Sequence, residues 1–312
     1  MIEKYYDGAI EQVAAGLGTV EKNHLLVRYS GQFSVENLND TKQLEKNEDI
    51  FVQVHEFETG EITCAYEPYL TMICDGFRRY MTGTFEEFME TCDVYYLHRP
   101  VLLGYFNQDN TGREEIILLD EVAYEQERML AALERMLCAI ADRHPVLFVL
   151  NRFQLASKST MQLTARFLKC ENCNIGLVLG VSDIQAMPEF LVQDWEMLYE
   201  TLDDGSKIYH IGNSGRKKEE TIDDEKYVDY GSEKVYRKLQ NMVEFLDFDQ
   251  AAYYLETIER KIKFDNLLVD DAARFRMWLL FVKVSILRQD IPKALEICED
   301  LEKIHLAGKE EE

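Results

Sequence analysis

Pro145-Val-Leu-Phe-Val-Leu-Asn-Arg-Phe-Gln-Leu-Ala156 and Ile175-Gly-Leu-Val-Leu-Gly-Val-Ser-Asp183 bracket the part of the chain that decides its fold. Residues 146–150 and 175–181 are apolar or glycine throughout and never alternate with polar residues. A strand with one face in water alternates. One that does not is buried on both faces, as the strands of a parallel sheet are. Residues 157–169, between them, carry apolar side chains at helical spacing. Strand, helix and strand in this order predict an α/β fold with a parallel sheet.

The same reading extends outward. Downstream, residues 189–202 read as a helix, Asp204-Gly205 as a turn and residues 208–211 as a last strand. Upstream, residues 121–142 form an amphipathic helix, with Met129, Ala132, Leu133, Met136, Leu137 and Ile140 on one face, and His144-Pro145 stops it. Residues 2–16 place Ile2, Tyr5, Tyr6, Ile10, Val13 and Ala14 at helical spacing before Gly16 and Gly18. Residues 24–29 and 50–55 are strand candidates on either side of an acidic segment, 34–49, that reads as helix. Residues 66–90 read as helical, with Tyr69, Met72, Ile73, Phe77 and Tyr80 on one face. Residues 100–120 stay open: 101–106 and 116–119 form either a hairpin or a helix and loop, because short apolar runs do not discriminate.

The character changes after Gly215. Residues 216–225 are charged and aperiodic, which makes 216–231 a linker. Residues 232–246, 249–263, 270–287 and 291–305 read as four helices. Asp247-Phe-Asp-Gln-Ala251-Ala252 and Gln289-Asp-Ile-Pro-Lys-Ala294-Leu295 both put an aspartate just before a helix that starts with small and apolar residues. They resemble the second helix of tetratricopeptide-like repeats, although Ala251 and Ala294 lie 43 residues apart where that repeat has about 34. An array this short needs a neighbour to cap it. The expected organisation is an α/β domain over 1–215, the linker 216–231 and an all-α helical segment over 232–312.

Composition narrows the function. The 312 residues carry 34 Lys+Arg against 58 Asp+Glu, a net charge of −24. Nucleic acid and anionic membrane are disfavoured as ligands, because both need concentrated cations. No apolar run approaches the ~20 residues of a spanning helix, and Met1-Ile-Glu-Lys-Tyr-Tyr-Asp7 does not read as a signal peptide. Seven scattered cysteines point to free thiols in a reduced, cytoplasmic protein.

The 145–183 block resembles the Walker B strand, next helix and sensor strand of bacterial AAA-like signal-transduction NTPases of the STAND class. That family shows an apolar strand, two acids, an apolar residue, Gln, a variable residue and Ala. Here Phe153, Gln154 and Ala156 match, and the strand ending at Ser182-Asp183 matches the sensor strand. Tyr66-Glu67-Pro68-Tyr69 is similar to a recurring segment of the family, and the likeness covers roughly residues 1–215. It implies a P-loop-NTPase-like parallel sheet flanked by helices.

The departures from the family pattern set the functional reading. A phosphate loop needs G-x-x-x-x-G-K-[ST]. After the first strand this chain has Ser30-Gly31-Gln32-Phe33-Ser34-Val35-Glu36, with no lysine. The two Walker B acids are replaced by Asn151 and Arg152. Asparagine is a poorer Mg²⁺ ligand than aspartate, and arginine repels the metal. Phosphoryl transfer depends on positioning and charge neutralisation by those groups, so the resemblance implies a pseudo-ATPase with no catalytic residues and no cofactor. Ligands bind beyond the carboxyl ends of strands in such sheets, which gathers Ser30, Gly31, Gln32, Asn151, Arg152, Gln154, Ser182 and Asp183 into a degenerate nucleotide cleft. A cleft merely filled by side chains is the blander alternative and would tolerate Gln32→Ala and Asn151→Ala.

Other candidates carry less. Cys170-Glu-Asn-Cys173 lacks a second ligand pair for zinc and follows a helix, the wrong end for a redox pair. Asp203-Asp204, Asp223-Asp224 and Asp270-Asp271 read as caps or solvated turns. Ser157, Ser159 and Ser182 lack a nucleophile elbow. The expected function is a non-catalytic signalling and protein-interaction module, part of a larger bacterial regulator whose output domain, such as a DNA-binding or GGDEF domain, is not in this chain. A protein partner is expected on the helical segment. One alternative is a nucleotide-binding NTPase with an atypical loop, in which Lys22, Arg28 or Arg152 supplies the phosphate-neutralising cation. Another is a helical adaptor that the α/β domain only supports.

Overall fold

The computed structural model describes residues 2–17, 24–29, 35, 49–58, 61–108, 121–170, 174–182, 187–203, 207–211, 229–265 and 267–310. Lys22, Ser30, Gly31, Gln32, Cys173, Asp183, Asp204-Gly205, Asp223-Asp224, nearly all of 34–49, residues 109–120 and most of the linker expectation lie outside them.

Five strands, β1 His24–Tyr29, β2 Phe51–Glu56, β3 Val146–Asn151, β4 Ile175–Ser182 and β5 Lys207–Ile211, form one parallel sheet in the order β2-β3-β4-β1-β5. The coarse α/β expectation holds. The two strands without alternation, β3 and β4, are buried at every position and lie side by side inside the sheet. The helices are α1 Ile2–Gly16, α2 Tyr69–Tyr80, α3 Phe85–Thr91, α4 Arg99–Asn107, α5 Val122–Ala141, α6 Lys158–Lys169, α7 Val192–Asp203, α8 Glu233–Glu244, α9 Phe248–Phe264, α10 Asp271–Leu287 and α11 Ile291–Glu310.

Two helical layers cover the sheet. On one face, Tyr6, Ile10 and Val13 of α1 pack on Leu25, Val27, Leu147, Val149 and Val178. On the other, Tyr69 of α2 meets Phe148 edge-on at 4.7 Å and Phe167 of α6 at 5.4 Å. Phe148 points opposite to Leu147 and Val149 because successive strand residues alternate. Burying each such side chain contributes roughly 1.5–3 kcal/mol.

Two local expectations change. Residues 66–90 are two helices rather than one. Gly83 sits at φ +90°, which a side chain disfavours, and Thr84 then starts α3 with a capping box: its hydroxyl accepts the Glu87 N–H while Glu87 accepts the Thr84 N–H. Residues 101–106 fall within helix α4, which removes the first strand of the hairpin reading.

The chain divides into two units, Met1–Arg99 with Leu130–Lys226, and Pro100–Met129 with Tyr227–Glu312. The first holds the sheet. The second differs from the expected segment in taking in residues 100–129. There the Tyr105 ring meets Phe245 edge-on at 5.8 Å, and Gln126 Nε2 donates to the Leu246 carbonyl at 2.6 Å. Its helices α8 to α11 pack successively, with Trp278 and Phe281 in the core. The turns between α8 and α9 and between α10 and α11 have the same form. Leu246 and Gln289 are left-handed, at φ 67° and 61°. The next N–H reaches back five residues in each, Asp247 to Met242 and Asp290 to Ser285, both at 2.8 Å. That closes the orphan carbonyls of a helix end. No helix among the described residues is long and apolar enough to cross a membrane.

Candidate functional site

The final residues of the first four strands are Tyr29, Glu56, Asn151 and Ser182. Parallel pairing brings these ends to one edge of the sheet, with Glu56 opposite Asn151 and Tyr29 opposite Ser182. Each is in phase with the residues that pack under α1, so all four point to the α1 face.

They are joined to one another. Asn151 is fully buried, and its Oδ1 accepts the Tyr29 hydroxyl at 2.7 Å. The Tyr6 hydroxyl of α1 reaches the same place over Gly180, where any side chain would collide with that hydroxyl and with Asn151 Oδ1. Arg152 follows in the left-handed region at φ 53°, uncommon for a residue with a side chain. Its guanidinium lies 3.4 Å from Glu56 Oε1, and the other oxygen, Oε2, accepts the Val35 N–H at 3.1 Å. Gln154, in the 3₁₀ turn Phe153–Leu155, closes the end of β4: its amide donates to the Ser182 carbonyl at 3.2 Å and accepts the Ser182 N–H at 3.3 Å.

Burial pushes the Tyr29 phenol up to about 12; the Glu56 carboxylate adds to the rise, while Arg152 and the Asn151 hydrogen bond oppose it. Burial, helped by Tyr29 and Glu56, also holds Tyr6 well above the ordinary phenol value. Both phenols are therefore neutral at neutral pH, and Tyr29 is the one that donates to Asn151.

Of the residues expected in the cleft, Asn151, Arg152, Gln154 and Ser182 come together, and Ser30, Gly31, Gln32 and Asp183 lie outside the described residues. Sequence reasoning missed Tyr6, Tyr29 and Glu56, although the polar residue ending each strand was visible. The residues present do not fit Mg²⁺. Asn151 offers a neutral oxygen that already accepts the Tyr29 hydroxyl, and the carboxylate nearby, Glu56, is neutralised by the Arg152 guanidinium. Of the cations considered for a phosphate, Arg28 lies over the Tyr199 ring at 5.8 Å and is out of phase with Tyr29, hence on the opposite face. Arg152 is paired with Glu56.

The remaining candidates have structural roles. Ser157 caps α6, accepting the Thr160 N–H at 3.2 Å, and Ser159 accepts the Tyr66 N–H at 3.1 Å. Thr160 donates to the Glu67 carbonyl at 2.9 Å, so the 66–69 segment is docked on the start of α6. Asp270 caps α10 by accepting the Ala273 N–H at 2.9 Å. Among the described residues, no three His, Cys, Asp or Glu are grouped to hold a metal. Cys64, Cys74, Cys92, Cys170 and Cys298 are free, whereas Cys138 is disulfide-bonded, against the expectation of free thiols throughout. A scan against models of known protein families and a search of curated proteins both match nothing to this chain.

Proposed function

We propose that the chain is a non-catalytic, pseudo-ATPase-type module for signalling and protein interaction. In this reading residues 1–215 are a degenerate P-loop-NTPase-like domain of STAND type, and 232–312 are tetratricopeptide-like helices that bind a protein partner in the cytoplasm, within a larger bacterial regulator. The observation that carries it is the pairing at the strand ends. Asn151, in the place of a metal-binding acid, is bonded to Tyr29, and Arg152, in the place of the second acid, is paired with Glu56. The two positions that would carry the acids of an active relative are each taken up by a partner from within the chain. The repeated turn at Leu246-Asp247 and Gln289-Asp290 supports a helical repeat.

Equilibrium dialysis against ATP–Mg²⁺ and ADP, with a phosphate-release assay beside it, tests the reading. The expected result is no nucleotide retained and no release above the protein-free rate. Stoichiometric binding or turnover overturns it and favours the atypical-loop NTPase.

A further inference from the structure

Glu56 is held as a bound anion would be. Each of its carboxylate oxygens meets a different donor, Oε2 the Val35 backbone N–H and Oε1 the Arg152 guanidinium. Val35 belongs to the segment that follows β1 and is buried in the core under α1, which fixes its N–H. Arg152 is set by the left-handed turn that ends β3 and also hydrogen-bonds the Tyr29 hydroxyl. Both members of the pair are sheltered, with side-chain exposures of 15% for Glu56 and 27% for Arg152. A backbone N–H and a guanidinium converging on one oxyanion, at the carboxyl edge of a parallel sheet, make an arrangement suited to a phosphate group.

We propose that the Glu56 carboxylate fills an oxyanion site formed by the Val35 amide and Arg152, and so keeps a phosphate-type anion out. This rests on the reading of the strand ends as a degenerate cleft and deepens it: the site is closed from within by a carboxylate of the chain itself. Removing that charge should open it, because the repulsion between Glu56 and an incoming phosphate disappears while both donors remain.

The test uses the full chain and thermal unfolding in inorganic phosphate or pyrophosphate, each against chloride at matched ionic strength. Wild type should show no difference. Glu56→Gln keeps the shape and removes the charge, and Glu56→Ala empties the place; both should melt higher in phosphate, with an apparent affinity at least about tenfold tighter than wild type. The double variant Glu56→Gln/Arg152→Ala should lose the gain. The proposal is overturned if wild type and Glu56 variants respond equally, if the gain survives loss of Arg152, or if a Glu56 variant is as unstable in phosphate as in chloride. ATP and ADP arms separate a nucleotide from free phosphate. Stabilisation of wild type by ATP–Mg²⁺ counts against the pseudo-ATPase reading, whereas failure of the Glu56 variants alone leaves that reading intact.

Discussion

In the sheet-bearing unit a chain of polar side chains is buried and paired beside the strand ends, whereas the helical unit carries a run of large apolar side chains on an outer helix face. Asn151, Gln154, Ser157, Thr160 and Thr164 are all buried: Asn151 accepts the Tyr29 hydroxyl, Gln154 bonds the Ser182 backbone, Ser157 bonds Thr160, and Thr164 donates to the Thr160 carbonyl. There Leu268, in the connection before α10, is 94% exposed, and on the helices Leu295 is 61% and Leu279 50% exposed. A single exposed leucine is ordinary. On α10, however, Phe275, Leu279, Val282 and Ile286 share one face at helical spacing, opposite a core face that holds Met277, Leu280, Phe281 and Val284. A buried polar group left unpaired costs about 1–3 kcal/mol, so the paired groups of the first unit hold the fold together. The second unit carries the exposed apolar face on which the proposed partner would dock.

The largest effect that sharpens this contrast is at Gly180. Gly180→Ala drives a methyl into the Tyr6 hydroxyl and Asn151 Oδ1 and should destabilise the chain by about 1–3 kcal/mol in urea unfolding. A neutral result breaks the picture of a filled strand-end cleft. Asn151→Ala comes next, at about 2 kcal/mol, because it strips the Tyr29 hydroxyl of its acceptor in a fully buried place. That departs from the neutral outcome first expected of a vestigial cleft. Tyr29→Phe should cost less, about 1 kcal/mol, since it leaves a carbonyl oxygen, Asn151 Oδ1, and not a hydroxyl donor without its partner.

The fourth effect is alkaline. Because Tyr29 titrates near 12 in the fold and near 10 unfolded, the unfolded chain gives up its proton first. Stability is intact below pH ~10 and falls through pH ~12, by up to ~1.4 kcal/mol per pH unit for each such group. Tyr29→Phe should flatten that slope, as read from urea midpoints between those pH values. The smallest effect on stability belongs to the helices. Leu279→Ser and Leu295→Ser should each move the melting free energy by no more than ~0.5 kcal/mol; a large loss would mean that these positions serve the fold and not a partner.

Much of the fold was legible from pattern alone. Strands β3 and β4 announced a parallel sheet because burial on both faces leaves nothing polar in them. The break between α2 and α3 was not seen, since Tyr80 and Phe85 continue the apolar rhythm across it, although Thr84 and Glu87 already spelled a capping box. In the site, Asn151, Arg152, Gln154 and Ser182 could be named because they follow apolar strands. Their partners could not. Tyr29 and Asn151 stand 122 residues apart, and only the strand order and register decide that they meet. Glu56 escaped notice for the same reason: its significance lies in facing Arg152 and Val35, which no local spacing records.

The central claim is most directly tested by thermal unfolding of the wild-type chain with and without millimolar ATP–Mg²⁺, with ADP in parallel. A nucleotide at about 100 times its Kd adds roughly 2.7 kcal/mol to stability, an easily read rise in Tm. The account predicts no shift with either nucleotide, because the strand-end groups are already bonded to one another. A clear rise in Tm would contradict it and turn attention to turnover.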